Sequence, residues 1–386
     1  MGPTVKLGFD GSVASVPGGT ATYAVQLVRN LLDQHPDWDF YLYFRTPNPI
    51  NQLEAYGMRP NVHVRFLGAG PNLWRVQSIM PSRLRADGID VFHSPGYFLP
   101  ISWGGPQVVT IHDLNIYRQI WARARSANFL GWLDLAVQTP LAAWRAERVI
   151  VDSTSGADDV CKLLRISRTK VDTIPLAADP FYEEAPTSTE LKALTHLVKA
   201  RPYVLYAGVL SRPKNLENLI RAFHTSELAT SGVDLLLAGS DHHGYGRILE
   251  RTATELGLSQ NVRLLGFVSQ PMLRALYSES LCTVLPSYGE GFGLPLVEAM
   301  ACGAPIVAAD RQSMPEVIGT AGPLFEPGDT TGLASILHRI ANDPDHRRTL
   351  QAGSKQRKLA FSWTRTAEST AAAYLRACRD RSGSEP

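Results

Sequence analysis

Short apolar runs alternate with helix-patterned stretches along the whole chain, and the series is run through twice. VKLGFD from Val5, FYLYF from Phe40, VHVRFLG from Val62, IDVFHSP from Ile89, QVVTIHD from Gln107 and RVIVDS from Arg148 read as buried strands. Amphipathic helices lie between them, for example Thr20 to Gln34 and Ala157 to Leu164, and VDTIPL from Val171 closes the set. The polar stretch DPFYEEAPTSTE then reads as a linker. A second series follows: YVLYAG from Tyr203, VDLLLAG from Val233, NVRLLGFV from Asn261, LCTVLPS from Leu281 and PIVAAD from Pro305. Such alternation predicts an α/β fold of two doubly wound parallel sheets, each covered by helices on both faces. Ligands of such sheets bind beyond the carboxyl ends of the strands. Those ends place Gly208, Gly239, Phe267 and Ser287 around one mouth and Gly11, Ser94, His112 and Ser153 around the other. Two mouths facing each other would make a central, interdomain cleft.

A chain of 386 residues is too long for one core, which agrees with two domains. Hydrophobic residues at 44% and charged residues at 19% exclude disorder as the main state. A formal net charge of +2 is too small to point to nucleic acid. Cys161, Cys282, Cys302 and Cys378 have neither metal-ligand nor paired spacing, so reduced thiols in the cytoplasm are expected. No basic-then-apolar leader stands in the first thirty residues and no run is apolar enough to span a bilayer. The expectation is a cytoplasmic protein, with contact at the inner face of a membrane left open.

Tyr288 to Val307 reads YGEGFGLPLVEAMACGAPIV, with Glu290 and Glu298 on either side of a glycine-rich turn. Where such a turn enters a helix, exposed N–H groups and the helix dipole favour an anion. Carboxylates beside it must hold something else: sugar hydroxyls, a metal or a proton in transit. Pro295 fits the start of a helix, which puts Glu298 in its second turn. There the residue compensates the dipole, worth about 0.3–1 kcal/mol, or accepts two hydrogen bonds from a vicinal diol such as a ribose. Glu290 projects from the turn and requires a ligand or a cation to satisfy it. Arg212 and Lys214, in YAGVLSRPKNLENLIRAF, lie between a strand and a helix. As an isolated pair they are solvated surface charge; at a strand's carboxyl end they suit a diphosphate.

Gly18 and Gly19, immediately before a helix, let a ligand approach the backbone or simply form a loop. His112, beside Asp113, ends the strand QVVTIHD, where a structural and a catalytic histidine are both open readings. Neither a G-x-G-x-x-G after the first strand nor a G-K-[ST] is present. Asp37–Trp38–Asp39 and Asp343–Pro344–Asp345 have a metal-type D-x-D spacing but read as turn residues. His242 and His243 beside Asp241 lack further ligands at metal spacing. From Arg118 to Arg148 the chain mixes Trp121, Phe129, Trp132 and Trp144 with arginines. Their roughly helical spacing predicts helices packed on the first sheet; an acceptor-binding or membrane-facing surface is the alternative.

Together these pieces resemble glycosyltransferase family 4, retaining enzymes of the two-domain GT-B fold with Rossmann-like domains. YAGVLSRPKN, NVRLLGFVSQ, LPSYGEGFGLPLVEAMACGAPIVAAD and MPEVIG look like family segments in family order. HSPGYFLP, TIHDLNIY and the early Gly-Gly are similar to a bacterial, mannosyltransferase-like branch. The resemblance implies an acceptor-side domain over residues 1–185, completed by a C-terminal helix over 360–386, and a nucleotide-sugar domain over 186–359. It implies that Arg212 and Lys214 neutralise the leaving diphosphate, Glu298 holds the ribose and Glu290 contacts the donor sugar. Backbone N–H groups of Gly291, Phe292, Gly293 and Leu294 would assist, Phe267 and Val268 would meet the base, and Gly208 would line the site. His112 would contact the donor hexose, and Gly18 and Gly19 the phosphates. Between Trp121 and Ala143 the fit is loose, so the acceptor does not carry over.

The expected function is a hexosyltransferase that moves mannose from GDP-mannose to a glycan, glycolipid or small-molecule acceptor, with no cofactor and no metal. A UDP- or dTDP-sugar donor is the alternative. An epimerase or a phosphorylase on a similar scaffold carries less weight, as does a non-catalytic nucleotide-binding protein, which would have lost Arg212, Lys214 or Glu290.

Overall fold

The computed structural model describes residues 5–15, 18–47, 52–70, 72–114, 129–241 and 244–382. The chain divides into two compact units, one of Met1–Leu176 with Trp363–Pro386 and the other of Ala177–Ser362.

The first unit is built on β1 (Lys6–Asp10), β2 (Asp39–Phe44), β3 (Val62–Phe66), β4 (Val91–Ser94), β5 (Gln107–Thr110), β6 (Arg148–Val151) and β7 (Val171–Thr173). They form one sheet in the order β3-β2-β1-β4-β5-β6-β7, with every pairing parallel. The second unit repeats the pattern with β8 (Tyr203–Ala207), β9 (Asp234–Ala238), β10 (Val262–Gly266), β11 (Cys282–Leu285), β12 (Ile306–Ala309) and β13 (Leu324–Phe325). Its order is β10-β9-β8-β11-β12-β13, again all parallel. Central strands such as β8 and β12 are buried on both faces, so the sequence writes them as unbroken apolar runs. Each expected strand is present. The two-residue β13 is an addition, too short to show a pattern of its own.

Strand order reverses beside the first strand of each unit, between β1 and β4 and between β8 and β11. Loops leaving adjacent strands there turn to opposite faces and open a crevice.

The final helix, Trp363–Ser382, belongs to the first unit, where it packs against the helix Gly19–Gln34 and reaches β4, β5 and β6. Ala367, Ala371, Ala373 and Ala377 are buried on it, and these small side chains let it lie close. Tyr374, also buried, brings its hydroxyl 2.6 Å from His93 Nδ1.

The boundary falls after Leu176 rather than at 185, and the expected linker is an anchored segment of the second unit. Pro180–Glu183 forms a 3-10 turn, and Thr187 and Glu190 close a capping box on the helix Ser188–Val198. The buried Arg274 guanidinium donates to Phe181 O at 3.1 Å and to Glu190 at 2.8 Å, and lies 4.0 Å over the Phe181 ring. Polar letters hid this packing because the partner is a buried arginine. The return point, after Ser362, is close to the expected 360.

Trp121 lies outside the described residues, as do His242 and His243. Phe129 and Trp132 fall within the helix Phe129–Arg145, but their side chains too are outside the described set. Trp144 is exposed on that helix, and its indole N–H donates to Leu164 O at 2.7 Å. Asp343 caps the helix Pro344–Arg357 through His346 N at 2.9 Å, and Asp39 opens β2, in keeping with turn and strand-end roles.

Gly239, after β9, has φ +150°, and a Cβ there would lie 1.8 Å from Gly208 O. Gly239→Ala should therefore destabilise the protein by about 1–3 kcal/mol, read as a lower urea midpoint. Gly104→Ala, where a Cβ meets nothing within 4 Å, should leave the midpoint in place.

Candidate active site

In the second unit, the loops after β8 and β11 meet at the reversal point. The first carries Arg212, Pro213 and Lys214 in a 3-10 turn, and it ends at Asn215, a buried residue in the left-handed conformation. Asn215 Nδ2 donates to Pro286 O at 3.1 Å and to Pro327 O at 2.8 Å, which fastens this loop to its neighbour. Tyr288 N donates to Pro213 O at 2.9 Å and adds a second tie. Held this way, Lys214 Nζ reaches Glu290 Oε1 at 2.7 Å and Oε2 at 2.8 Å. Ser287 Oγ donates to Glu290 Oε1 at 2.6 Å. Glu290 thus finds a cation, one of the two satisfactions its position required. An ammonium has three donors; two face this carboxylate, leaving a third for another acceptor.

Arg212 differs. Its side chain is 72% exposed, 4.0 Å from Glu217, with the guanidinium 5.8 Å from the centre of the Tyr245 ring. It is an accessible charge beside a fixed one.

The glycine turn leads into the helix Leu294–Ala301, with Gly293 at its N-cap and φ +98°. Ser313 Oγ lies 2.9 Å from Glu290 O and 3.0 Å from Phe292 O, so both carbonyls turn inward. In trans peptides the N–H groups of Gly291 and Gly293 then point the opposite way. Glu298 follows in the second turn, and Tyr277 Oη donates to its Oε2 at 3.0 Å. Burial pushes its carboxyl up to about 7; the Tyr277 hydrogen bond lowers it and Asp179 raises it. A group so poised gains from hydroxyls that donate to its ionised form.

In the first unit, His112 follows β5 and Asp152 follows β6. His112 Nδ1 donates to Asp152 Oδ2 at 2.7 Å, and both side chains are largely buried. Burial disfavours the imidazolium, but the charge and hydrogen bond of Asp152, with Asp113 and the Pro95 carbonyl, carry the net shift above the ordinary histidine value. Burial raises the Asp152 carboxyl, while His112 opposes that rise. The Tyr23 and His112 rings lie nearly perpendicular to each other, with centroids 4.8 Å apart. Tyr23 Oη lies 2.9 Å from Thr110 Oγ1, itself 2.8 Å from His93 Nε2. His93 is pushed down to about 3 by burial and by its neighbour His112.

Lys214, Glu290, Gly291 to Leu294 and Glu298 are thus assembled on neighbouring elements of the second unit, with Gly208 at the foot of the same loop. Phe267 and Val268 follow β10 two strands away, and Phe267 is 77% exposed. Gly18 caps the helix Gly19–Gln34 and both glycines are exposed, with nothing within 4 Å of a Cβ at Gly18. Sequence reasoning missed Asp152, Asn215, Tyr277 and Ser313. Asp152 alone carried a signal, since it stands at a strand's carboxyl end. Among the described residues no cluster of three or more metal-ligating side chains is present. Asp152→Asn should drop the His112 pKa below its ordinary value, because burial then loses its main opponent. Imidazole titration followed by NMR measures this directly.

Residues 17–182 match the family described as Glycosyltransferase Family 4, and residues 188–357 match Glycosyl transferases group 1. The O-antigen chain mannosyltransferase B of Escherichia coli is 24% identical over 370 residues, covering 92% of this chain and 95% of that protein. Among solved structures, sucrose-phosphate synthase from Thermosynechococcus elongatus superposes with a TM-score of 0.76 at 23% identity, over 96% of this chain and 98% of that one. The Anabaena protein HepE in complex with UDP and glucose gives 0.73 at 20% identity, over 96% and 99%. These likenesses give the fold as GT-B. Matched in both halves, in family order and nearly from end to end, the chain belongs to glycosyltransferase family 4.

Proposed function

We propose that this glycosyltransferase moves a hexose, mannose in first place, from a nucleoside-diphosphate sugar to a glycan, glycolipid or small-molecule acceptor, with retention at the anomeric carbon and without a metal. The observation that carries this reading is the Lys214–Glu290 pair at the reversal point of the second sheet, beside the accessible Arg212. The bond between the anomeric carbon and the diphosphate oxygen breaks, and the carbon bonds to the acceptor oxygen. The acceptor's proton ends on the diphosphate or in solvent. Negative charge grows on the leaving group, and the third donor of Lys214, the Arg212 fork and the N–H groups of Gly291 and Gly293 oppose it. Glu290 keeps Lys214 aimed and meets the sugar hydroxyls, while Glu298 accepts from the ribose diol. His112 contacts the hexose, Gly18 and Gly19 approach the phosphates, and Phe267 and Val268 face the base. Mannose rests on the likeness to mannosyltransferase B, and GDP on the resemblance of the early glycines, HSPGYFLP and TIHDLNIY to a mannosyltransferase-like branch. A UDP-sugar is the second reading, favoured by HepE, which holds UDP and glucose.

Melting-temperature screens with GDP-, UDP-, ADP- and dTDP-sugars should single out the donor, since a ligand of the folded state raises the midpoint by mass action. GDP-mannose should give the largest rise; no rise with any sugar nucleotide defeats the proposal. Lys214→Ala should lower kcat by about 10²–10³-fold, the scale of one lost transition-state donor. Turnover should persist in a chelator, and loss restored by magnesium would show that an ion is needed. Affinity for the sugar nucleotide, whose diphosphate diester does not titrate near neutrality, should rise with pH through about 7 as Glu298 ionises. That rise should vanish in Glu298→Gln, measured by calorimetry.

A further inference from the structure

At the end of the first sheet opposite His112, an open pocket of about 540 Å³ is lined by Trp103, Trp144, Arg145, Glu147, Lys170 and Arg381, among others. Glu147 stands immediately before β6 and Lys170 immediately before β7. A four-residue strand spans roughly 13 Å, so the pocket is well separated from Asp152 at the far end of β6. Among its lining residues Arg145, Lys170 and Arg381 are cationic and Glu147 is anionic. Glu147 Oε1 accepts from Arg145 at 3.1 Å and from Arg381 at 3.4 Å, and Oε2 from Gln107 N at 2.6 Å. One carboxylate, already engaged by both arginines, faces three cations. Lys170 Nζ donates to Trp144 O at 2.6 Å, which leaves two of its donors for an anion. Burial lowers the Lys170 ammonium, Glu147 raises it and Arg145 lowers it, so an incoming anion would relieve the site.

An apolar stripe adjoins the pocket. Val137, Leu141 and Trp144 fall at helical spacing on one face of the helix Phe129–Arg145, and they are 53, 36 and 55% exposed. Trp144 belongs to both stripe and pocket. Leu163, on the helix Thr154–Leu164 that receives the Trp144 hydrogen bond, is exposed as well. The stretch CKLLRISRTK from Cys161 to Lys170 adds Lys162, Arg165 and Arg168, with no carboxylate. Exposed Leu and Trp flanked by cations match the boundary between anionic headgroups and acyl chains. No helix among the described residues is long and apolar enough to cross a membrane.

We propose that this pocket and stripe dock the protein on an anionic phospholipid surface, with a headgroup phosphate against Lys170 and Arg381 and with Val137, Leu141 and Trp144 at the acyl boundary. The proposal is independent of the donor site. It is tested by sedimenting the full chain with vesicles of phosphatidylcholine alone or mixed with phosphatidylglycerol, and by titrating inorganic phosphate against Trp fluorescence. Binding should require phosphatidylglycerol. It should fall at least tenfold in Lys170→Gln/Arg381→Gln and again in Val137→Gln/Leu141→Gln, while the melting shift given by the sugar nucleotide stays in place. Arg381→Gln alone, at a 44% exposed side chain, keeps the test valid if the double variant does not fold. Equal binding to both vesicles, or unchanged binding in the charge variants, overturns the proposal. So does saturable phosphate binding without vesicle binding, which would make this a soluble-anion site.

Discussion

The second unit is organised around an ion pair that neither residue could form locally. Lys214 and Glu290 are 76 positions apart, and they meet because β8 and β11 lie side by side where the strand order reverses. Both side chains are mostly removed from water, so each charge depends on the other. The cation's direction is therefore fixed by the protein before any ligand arrives. A preset charge needs no rearrangement to meet an anion. Asn215, Ser287 and Ser313 hold the two loops that carry the pair.

The first unit solves a different problem with similar means. Two neighbouring histidines are driven in opposite directions: burial and His112 push His93 down to about 3, whereas Asp152 carries His112 above its ordinary value. Only one imidazole of the two therefore holds charge readily. His93 serves as a neutral connector among Thr110, Tyr374 and, through Thr110, Tyr23. His112 alone is left as the responsive group at the carboxyl end of β5. Separation of two titrating groups by their surroundings is a common way to assign them distinct duties.

Much of this was legible in the sequence, for identifiable reasons. Strands buried on both faces leave continuous apolar runs, which is why twelve of the thirteen were expected and only Leu324–Phe325, too short to pattern, was not. Gly293 and Pro295 mark a helix start by backbone chemistry alone, so Glu298 could be placed in its turn. Pairings over long separations left no trace: nothing near Glu290 names Lys214, and nothing near His112 names Asp152 beyond a shared position after a strand. DPFYEEAPTSTE shows the opposite failure. Its polar residues suggested a tether, yet Glu190 and Phe181 are the partners that bury Arg274.

The helix Trp363–Ser382 returns the chain to the unit with which it began. The second unit is continuous in sequence and can assemble its sheet as soon as residue 362 has emerged. The first is synthesised earlier but waits longer. Until the last twenty-odd residues arrive, the apolar flank of Gly19–Gln34 has no cover and His93 Nδ1 has no Tyr374. The order of manufacture and the order of completion are reversed, so a nascent chain exposed as far as residue 362 and no further would hold a finished second unit and an open first one.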